Sequence, residues 1–239
     1  MKTRKHFLYI LIVLVAGISS QALAGNENSQ TRSVRDFDAI KVSTGVQLYL
    51  SMNDRQAVRI EADDEILEDV VTEVKDGTLH IYVRKNNIFK FFNWGSKSTV
   101  KAYVSATEIN SLDASSGAYI RSENTLKGSS LILDMSSGGG MALDLVYKEI
   151  KMDGSSGANA KISGRAKNFN VSASSGSNID ARNLEAVNCE ARASSGANIS
   201  MVATDEISAH SSSGGSIRYS GNPGVKNINK SSGGTVSQR

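Results

Sequence analysis

The sequence predicts an all-β protein, a right-handed parallel β-helix (a β-solenoid) with a more irregular N-terminal β portion. The tripeptide Ser-Ser-Gly occurs seven times in the second half of the chain, at intervals of 18 to 21 residues. A fixed period of about 19–20 residues is typical of stacked repeat proteins. Apolar residues recur at fixed positions on both sides of each tripeptide. Residues 35–110 alternate like strands and lack the period of a long amphipathic helix.

Residues 1–24 are predicted to be a signal peptide that is removed on export. A basic start is followed by an apolar run over residues 7–18, and Ala22-Leu23-Ala24 offers a cleavage site of small residues. The alternative, a retained membrane anchor, is disfavoured because a spanning helix needs about 20 apolar residues. We therefore expect an exported protein, periplasmic or at the cell surface, without a membrane span after cleavage.

Charge and cysteine content narrow the function classes. Residues 1–24 hold three of the 27 basic residues and none of the 24 acidic ones, so residues 25–239 carry 24 of each. This balance gives no support to nucleic-acid binding, which needs a clustered basic face. Cys189 is the single cysteine, so packing rather than an internal disulfide must stabilise the exported chain. Its place in the apolar pattern predicts a small buried side chain.

The region before the repeats divides into a leader and a β portion. Residues 25–34 are polar and without periodicity, and we expect a flexible leader there. Within residues 35–110, Gly45 marks a turn between two short strands, and Asp76-Gly77 between apolar runs predicts a hairpin. Asp63-Asp64-Glu65 predicts the acidic start of a short helical turn.

Residues 88–94 do not fit the strand pattern. They hold four of the 14 aromatic residues, namely Phe89, Phe91, Phe92 and Trp94, together with Lys90. One interpretation is an aromatic-basic binding segment, since aromatic faces stack on sugar rings and anchor protein interfaces. The alternative is that these rings cover the exposed strand edge of the first solenoid turn. These five residues are the candidate binding site.

Residues 111–239 form the Ser-Ser-Gly repeat, and we expect residues 35–239 to be one continuous domain. Two columns are apolar in all seven repeats. The first lies five residues before each glycine and the second three residues after it. Because alternate strand residues face the same side, stacking equal turns places like residues above one another in a core. The columns are Leu112, Leu133, Met152, Val171, Ala191, Ala209 and Ile228, then Ile120, Met141, Ala160, Ile179, Ile199, Ile217 and Val236.

The tripeptide itself is interpreted as a corner turn. Glycine accepts the positive φ of a bend, and serine hydroxyls bond nearby backbone groups or the serines of the next turn. The alternatives are a serine-lined binding stripe or a glycosylated face. Asn159, Asn178 and Asn198 are expected to stack as a short amide ladder. The structural turn glycines are Gly45, Gly117, Gly138, Gly157, Gly176, Gly196, Gly214 and Gly233.

The chain resembles the head GIN domain family of putative auto-transporter adhesins, which are exported proteins of Gram-negative bacteria. The resemblance rests on residues 35–42 (RDFDAIKV) with Gly45, on residues 70–81 (VVTEVKDGTLHI), and on the serial Ser-Gly turns. It covers about residues 34–236. The resemblance implies the solenoid fold and an adhesive role, and it brings no catalytic motif to this chain.

An enzymatic site is the alternative to an adhesive role. Some parallel β-helices cleave polysaccharides with paired carboxylates or a calcium ion. Three outward-facing aspartates lie four residues before their glycines and are expected to stack, namely Asp113, Asp134 and Asp153. We place Ser172, Glu190 and His210 at this position in the next three repeats, so the row of aspartates does not continue. His80 and His210 are the histidines after residue 24, and neither belongs to a Ser-His-Asp or metal-binding pattern. No cofactor or metal is expected.

The sequence therefore predicts an exported, non-enzymatic binding or adhesin-like protein of the bacterial envelope, whose partner is a surface glycan or an envelope protein. The alternative hypothesis is a polysaccharide-active β-helix enzyme, and the third hypothesis is a scaffold or sensor of the envelope. After Gly234 only residues 235–239 follow. Because they are too few to cover the last turn, we expect weak end-to-end self-association or fraying there.

Overall fold

The computed structural model of the chain describes residues 28–84 and 99–239. The predicted signal peptide lies outside them. The described residues form seventeen strands and one helical turn, which are β1 Asn28–Arg32, β2 Ala39–Val42, β3 Gln47–Met52, β4 Ala57–Ala62, α1 Asp64–Leu67, β5 Val70–Lys75, β6 Thr78–Val83, β7 Lys101–Ala106, β8 Ser111–Ala114, β9 Tyr119–Ser122, β10 Leu126–Met135, β11 Gly140–Gly154, β12 Asn159–Ala173, β13 Asn178–Ala193, β14 Asn198–Ser211, β15 Ser216–Ser220, β16 Val225–Lys230 and β17 Thr235–Gln238.

The strands stack in parallel as a β-solenoid, which confirms the predicted fold class. Each coil is a strand, a corner and a second strand, and the next coil pairs with it in parallel register. Both apolar columns are in register through all seven repeats. Every member is buried except Ile228 in the last coil, which is 36% exposed. These columns form the core of the solenoid.

A third buried column includes Cys189, as predicted. It runs Leu131, Ile150, Phe169, Cys189 and Ile207, with all five side chains buried. Burial raises the pKa of the Cys189 thiol to about 12. The thiol is therefore protonated at neutral pH, and its Sγ lies 3.4 Å from the carbonyl oxygen of Val202. Cys189 is a small core residue in this fold.

The Ser-Ser-Gly tripeptides form the corners. At residues 174–177 the N–H of Ser177 donates to the Ser174 carbonyl at 3.1 Å, with φ of 50° at Ser175 and 73° at Gly176. Two successive positive φ values define the type I′ turn geometry. The N–H of Gly176 donates to the carbonyl of Ser195 in the next coil at 3.1 Å. The same bond links each corner to the next, so the corners are part of the ladder between coils.

The first coils are stacked out of chain order. Strands β2 and β3 flank a corner of the same type, in which Thr44 has a φ of 60° and Gly45 a φ of 72°. This coil lies between β6–β7 on one side and β8–β9 on the other. Ile40 and Leu48 therefore extend the two apolar columns into the N-terminal portion, which the sequence interpretation of the repeat had not included.

Antiparallel strands cover the terminal coil β6–β7. The hairpin at Asp76-Gly77, correctly predicted, places β5 against β6, and β4 pairs with β7. Strand β1 pairs with β4. The expectation of a flexible leader is therefore wrong for residues 28–32, because their backbone groups bond to β4 despite their polar side chains. The predicted helical turn is α1, with Asp64 and Glu65 in its first turn.

At the other end of the solenoid, β16 pairs with β14 and β17 pairs with β15. Within the described residues neither strand has a second neighbour in the sheet. All six residues of β16 are exposed, including Val225 at 56%. End-to-end association or fraying at this edge stays a prediction.

We predict that Phe169→Ala lowers the free energy of unfolding by about 3–5 kcal/mol, because it leaves a cavity in a fully buried column. Val187→Ala is the control, since Val187 is 40% exposed and its truncation should change stability by at most about 0.5 kcal/mol. Chemical denaturation followed by circular dichroism measures both. Equal losses in the two variants would contradict the assigned core.

We also predict that Gly176→Ala destabilises the solenoid by about 1 kcal/mol, since L-residues disfavour its φ of 73°. No atom lies within 4 Å of the added Cβ, so the loss is conformational and not steric. Ser175→Asn is the matched control, because Asn-Gly is favoured in type I′ turns and should preserve stability. Thermal unfolding tests the pair, and a larger loss in the Asn variant would rule out the corner assignment.

Candidate functional site

The candidate binding residues lie outside the described part of the chain, but the strands on both sides of their segment are described. These residues are Phe89, Lys90, Phe91, Phe92 and Trp94. The N–H of Ser43 donates to the Ile81 carbonyl at 3.1 Å, and that of Gln47 to the Val100 carbonyl at 2.9 Å. Because β6 pairs with β2 and β7 with β3, residues 84–100 connect two strands that flank a corner position. This coil has a long insertion where the other coils have a tight turn.

The strand edges of the terminal coil already have partners. The β5–β6 pairing runs from Val70–Val83 to Lys75–Thr78, and the β4–β7 pairing covers Ala57 to Glu61. The hypothesis that the aromatic residues cover the first solenoid turn assumed that its strand edge is exposed. Because β4 and β5 bond to these edges, the edges need no further cover from the insertion. This observation favours the binding interpretation.

In every coil, the strand that precedes the corner contributes one outward side chain to a column that runs along the solenoid. This column contains both described histidines. The register places Asp113, Asp134 and Asp153 together, as expected. The next members are Ser172, Arg192 and His210, so placing Glu190 in this column was wrong. His80 pairs with Lys41 at the opposite end. The two histidines are therefore several coils apart.

This column does not assemble a nucleophilic triad in the described residues. His210 is in register with Arg192 and Asn229, while its chain neighbour Ser211 points inward and is fully buried. Within residues 28–84 and 99–239, no group of three or more His, Cys, Asp or Glu side chains is arranged to hold a metal ion. The acidic residues Asp64 and Glu65 lie exposed at the start of α1.

Electrostatics single out Asp134 within the acidic stack. Burial raises the pKa of its carboxyl, and the neighbouring Asp153 and Asp113 raise it further. Asp113 is compensated, because Lys41 Nζ lies 2.6 Å from its Oδ2. Lys151 Nζ lies 3.8 Å from Asp153 Oδ2. The stack therefore disfavours the charged form of its central carboxyl, although the Asp134 side chain is itself exposed.

The serine corners offer a regular row of hydroxyl groups. The second serine is exposed in all seven repeats. These seven hydroxyls make no hydrogen bond to the rest of the described protein, so the expected bonds between serines of successive corners are absent there. Asn159, Asn178 and Asn198 are in register, as expected of a stacked ladder. Asn159 Nδ2 donates to the carbonyl of Gly157 in its own corner at 3.0 Å.

A tyrosine stack on β3 and β7 was missed by sequence reasoning. The rings of Tyr49 and Tyr103 stack with centroids 5.0 Å apart and planes at 15°, and the Arg59 guanidinium lies 4.3 Å from the Tyr103 centroid. Burial, and then a hydrogen bond with Glu61, raises the pKa of Tyr103. The sequence pattern does indicate that each tyrosine points outward from its strand. Their contact depends on the β3–β7 pairing, which the sequence does not reveal.

Comparison with known proteins matches residues 36–223 to the family described as "Putative auto-transporter adhesin, head GIN domain". A comparison with curated proteins finds no match. In the described residues, no helix is long and apolar enough to cross a membrane.

Three solved structures are similar in fold along most of this chain. A putative adhesin from Bacteroides fragilis has a TM-score of 0.79 at 22% identity, with 90% of this chain and 98% of that chain covered. A "putative lipid binding protein" from Parabacteroides distasonis has 0.69 at 19%, with 90% and 97% covered. A putative adhesin from Parabacteroides merdae has 0.64 at 21%, with the same coverage of 90% and 97%. At these identities the likeness supports the fold alone.

We predict that Asp134→Asn stabilises the protein at pH 7. A raised pKa in the folded state means that ionised Asp134 opposes folding at neutral pH. The gain should disappear as the pH falls below about 3.9, where the wild-type carboxyl is protonated in the unfolded chain too. Asp113→Asn is the control, since it removes the same charge but also the bond to Lys41, and it should not stabilise. Thermal unfolding between pH 3 and pH 7 measures both, and a gain that persists at pH 3 would contradict the electrostatic cause.

Proposed function

We propose a non-enzymatic binding function for this chain, which belongs to the head GIN domain family of putative auto-transporter adhesins. In this proposal it is an exported module of the bacterial envelope that attaches to a surface glycan or an envelope protein. The contact is made by the aromatic-basic segment 88–94. Periplasmic or cell-surface location follows from the predicted signal peptide over residues 1–24.

The observation that supports this proposal is the place of the insertion. It lies at a corner position of the terminal coil β6–β7, whose outer edges are covered by β5 and β4. Since the edges of β6 and β7 do not need these rings as a cover, four aromatic residues within 89–94 are better explained by contact with a partner. Lys85, Lys90 and Lys97 add positive charge beside them, which suits an acidic partner.

The polysaccharide-enzyme alternative receives less support. A retaining or inverting glycosidase needs two carboxyl groups, one of which has a raised pKa to act as the acid. Asp134 is the described carboxyl with a raised pKa, and its neighbours are the like-charged Asp113 and Asp153 on adjacent coils. Lys41 bonds Asp113 within the same stack. That arrangement is explained by a charged surface column.

The name of the Parabacteroides distasonis relative suggests a lipid as a further partner class. The described solenoid is filled by its apolar columns, with Phe169, Leu131 and Ile150 among the buried side chains. A lipid would therefore have to bind outside this core. We give the glycan or protein partner preference, because the segment carries lysines as well as aromatic rings.

We predict that Phe91→Ser combined with Trp94→Ser abolishes attachment of purified residues 25–239 while the unfolding temperature stays unchanged. Val146→Ser with Val187→Ser is the control, because these valines are 42% and 40% exposed on the solenoid surface and their loss should leave attachment intact. Attachment of the labelled protein is measured on the acidic members of a glycan array, and on intact bacterial cells in the presence of excess soluble neutral and amine-bearing oligosaccharides.

Two results would overturn the proposal. Unfolding of the Phe91/Trp94 variant would assign these rings to the solenoid cap. Undiminished attachment by a folded variant would remove segment 88–94 from the binding site. Mass spectrometry of the oligosaccharides after incubation checks the enzymatic alternative, and shortened products would replace the binding function with cleavage.

A further inference from the structure

A second candidate site lies on the central coils, away from the terminal coil. A groove of about 480 Å³ crosses strands β10 to β14 on the side that precedes the corners. Its floor includes the buried Ile150 and Cys189, and its walls are outward side chains on either side of that column. Its volume is in the range of small-molecule binding clefts. We call it the coil groove.

The coil groove runs along the solenoid axis. Each wall contributes one side chain per coil, because the residues of a wall are in parallel register, as in the series Glu149, Asn168, Asn188 and Glu206. Successive coils are about 4.8 Å apart, so five strands give a groove about 19 Å long. A repeating array of this kind fits a linear ligand laid along the axis.

The polar groups of the coil groove suit hydroxyl ligands. Asn188 Nδ2 donates to Asn168 Oδ1 at 2.9 Å, which fixes both amides and leaves the Asn168 NH₂ group and the Asn188 oxygen for a ligand. Asn170 and Ser208 line the opposite wall. A sugar hydroxyl both donates and accepts, so neighbouring amide and hydroxyl groups can satisfy it. Ile132 is 43% exposed in the same groove and can contact the apolar face of a sugar ring.

The charge of the coil groove selects among glycans. Three carboxylates and one ammonium line it, those of Glu149, Glu190, Glu206 and Lys151. Arg192 bonds Glu190 at 2.5 Å from outside the lining. Glu149 and Glu206 have no ion pair in the described part of the chain. The excess of carboxylates repels acidic sugars and phosphates and attracts amines.

We propose that the coil groove binds a neutral or amine-bearing oligosaccharide, laid along the solenoid axis across β10–β14. This goes beyond the proposed function, since it holds whether segment 88–94 contacts a glycan or a protein. A peptide is a less suitable occupant, because extended peptides are recognised by free backbone groups at a sheet edge. In the coil groove those backbone groups are paired between coils.

The test is isothermal titration calorimetry of residues 25–239 with equal-length oligomers of N-acetylglucosamine, glucosamine and galacturonic acid, which are neutral, amine-bearing and acidic. We expect binding of one or both of the first two and none of the third. A lysine-rich peptide is the fourth ligand. Tighter binding of the peptide or of galacturonate than of the other sugars would overturn the proposal, as would no sugar binding at millimolar concentration.

Variants test whether the sugar binds in the coil groove. Asn168→Ala with Asn188→Ala should weaken sugar binding about tenfold, since it removes the fixed pair of amides. Asn159→Ala with Asn178→Ala is the matched control, because these asparagines also stack on adjacent coils but lie exposed beyond the corner. Equal affinity in the two double variants would overturn the site.

A charge reversal keeps the test independent of the half-buried amides. Glu149→Lys with Glu206→Lys, both exposed positions, should lower binding of the glucosamine oligomer and give measurable binding of the galacturonate oligomer. Unchanged preference would contradict the proposal. The Phe91/Trp94 double variant should bind these sugars like the wild type, so failure of the proposed attachment segment and failure of the coil groove are distinguishable.

Discussion

The parallel register of the buried columns is the constraint on which the rest of this structure depends. Each coil buries its apolar residues only if the coil on either side presents apolar residues at the same height. Large and small side chains compensate along a column, as where Phe169 lies between Ile150 and the smaller Cys189. The Gly-to-Ser bonds between corners hold the same register at the outer edge. Core packing and corner bonding therefore specify one alignment together.

This constraint also explains how the repeat tolerates unequal lengths. The corners are 18 to 21 residues apart, yet the columns beside them stay in register. The pairing shifts between Lys161 and Ser163 on β12, and on β13 between Ala181 and Glu185 and again between Ala186 and Asn188. These irregularities lie between the column that follows one corner and the columns that precede the next, so the columns themselves keep their register. Length differences are absorbed there as bulges.

How much the sequence predicted depends on the range of the interaction. The corners, the apolar columns, Cys189 and the Asp76-Gly77 hairpin were predictable, since each depends on residues close in sequence or on an exact repeat. Strand β1 was missed because its polar side chains are solvent-exposed and its bonds are made by backbone atoms to β4. The Tyr49–Tyr103 stack and the coil groove were missed because they depend on which coils are neighbours. Glu190 was wrongly placed in the column of Asp113, since Arg192 is the residue four before Gly196 and is in register with Ser172 and His210.

The out-of-order stacking of the first coils has a consequence for how the chain folds. Strand β3 must find β7 about fifty residues later (Tyr49 pairs with Tyr103), and Lys41 bonds Asp113 at a separation of 72 residues. Each later coil pairs with the one that precedes it by about one repeat, which closes a much shorter loop. Nucleation is thus expected to be slow and confined to the N-terminal third, and elongation fast. In the proposed export, the N-terminal third would leave the export machinery first, so later segments would meet a preformed template and add in one direction, with a single growing edge exposed at any time.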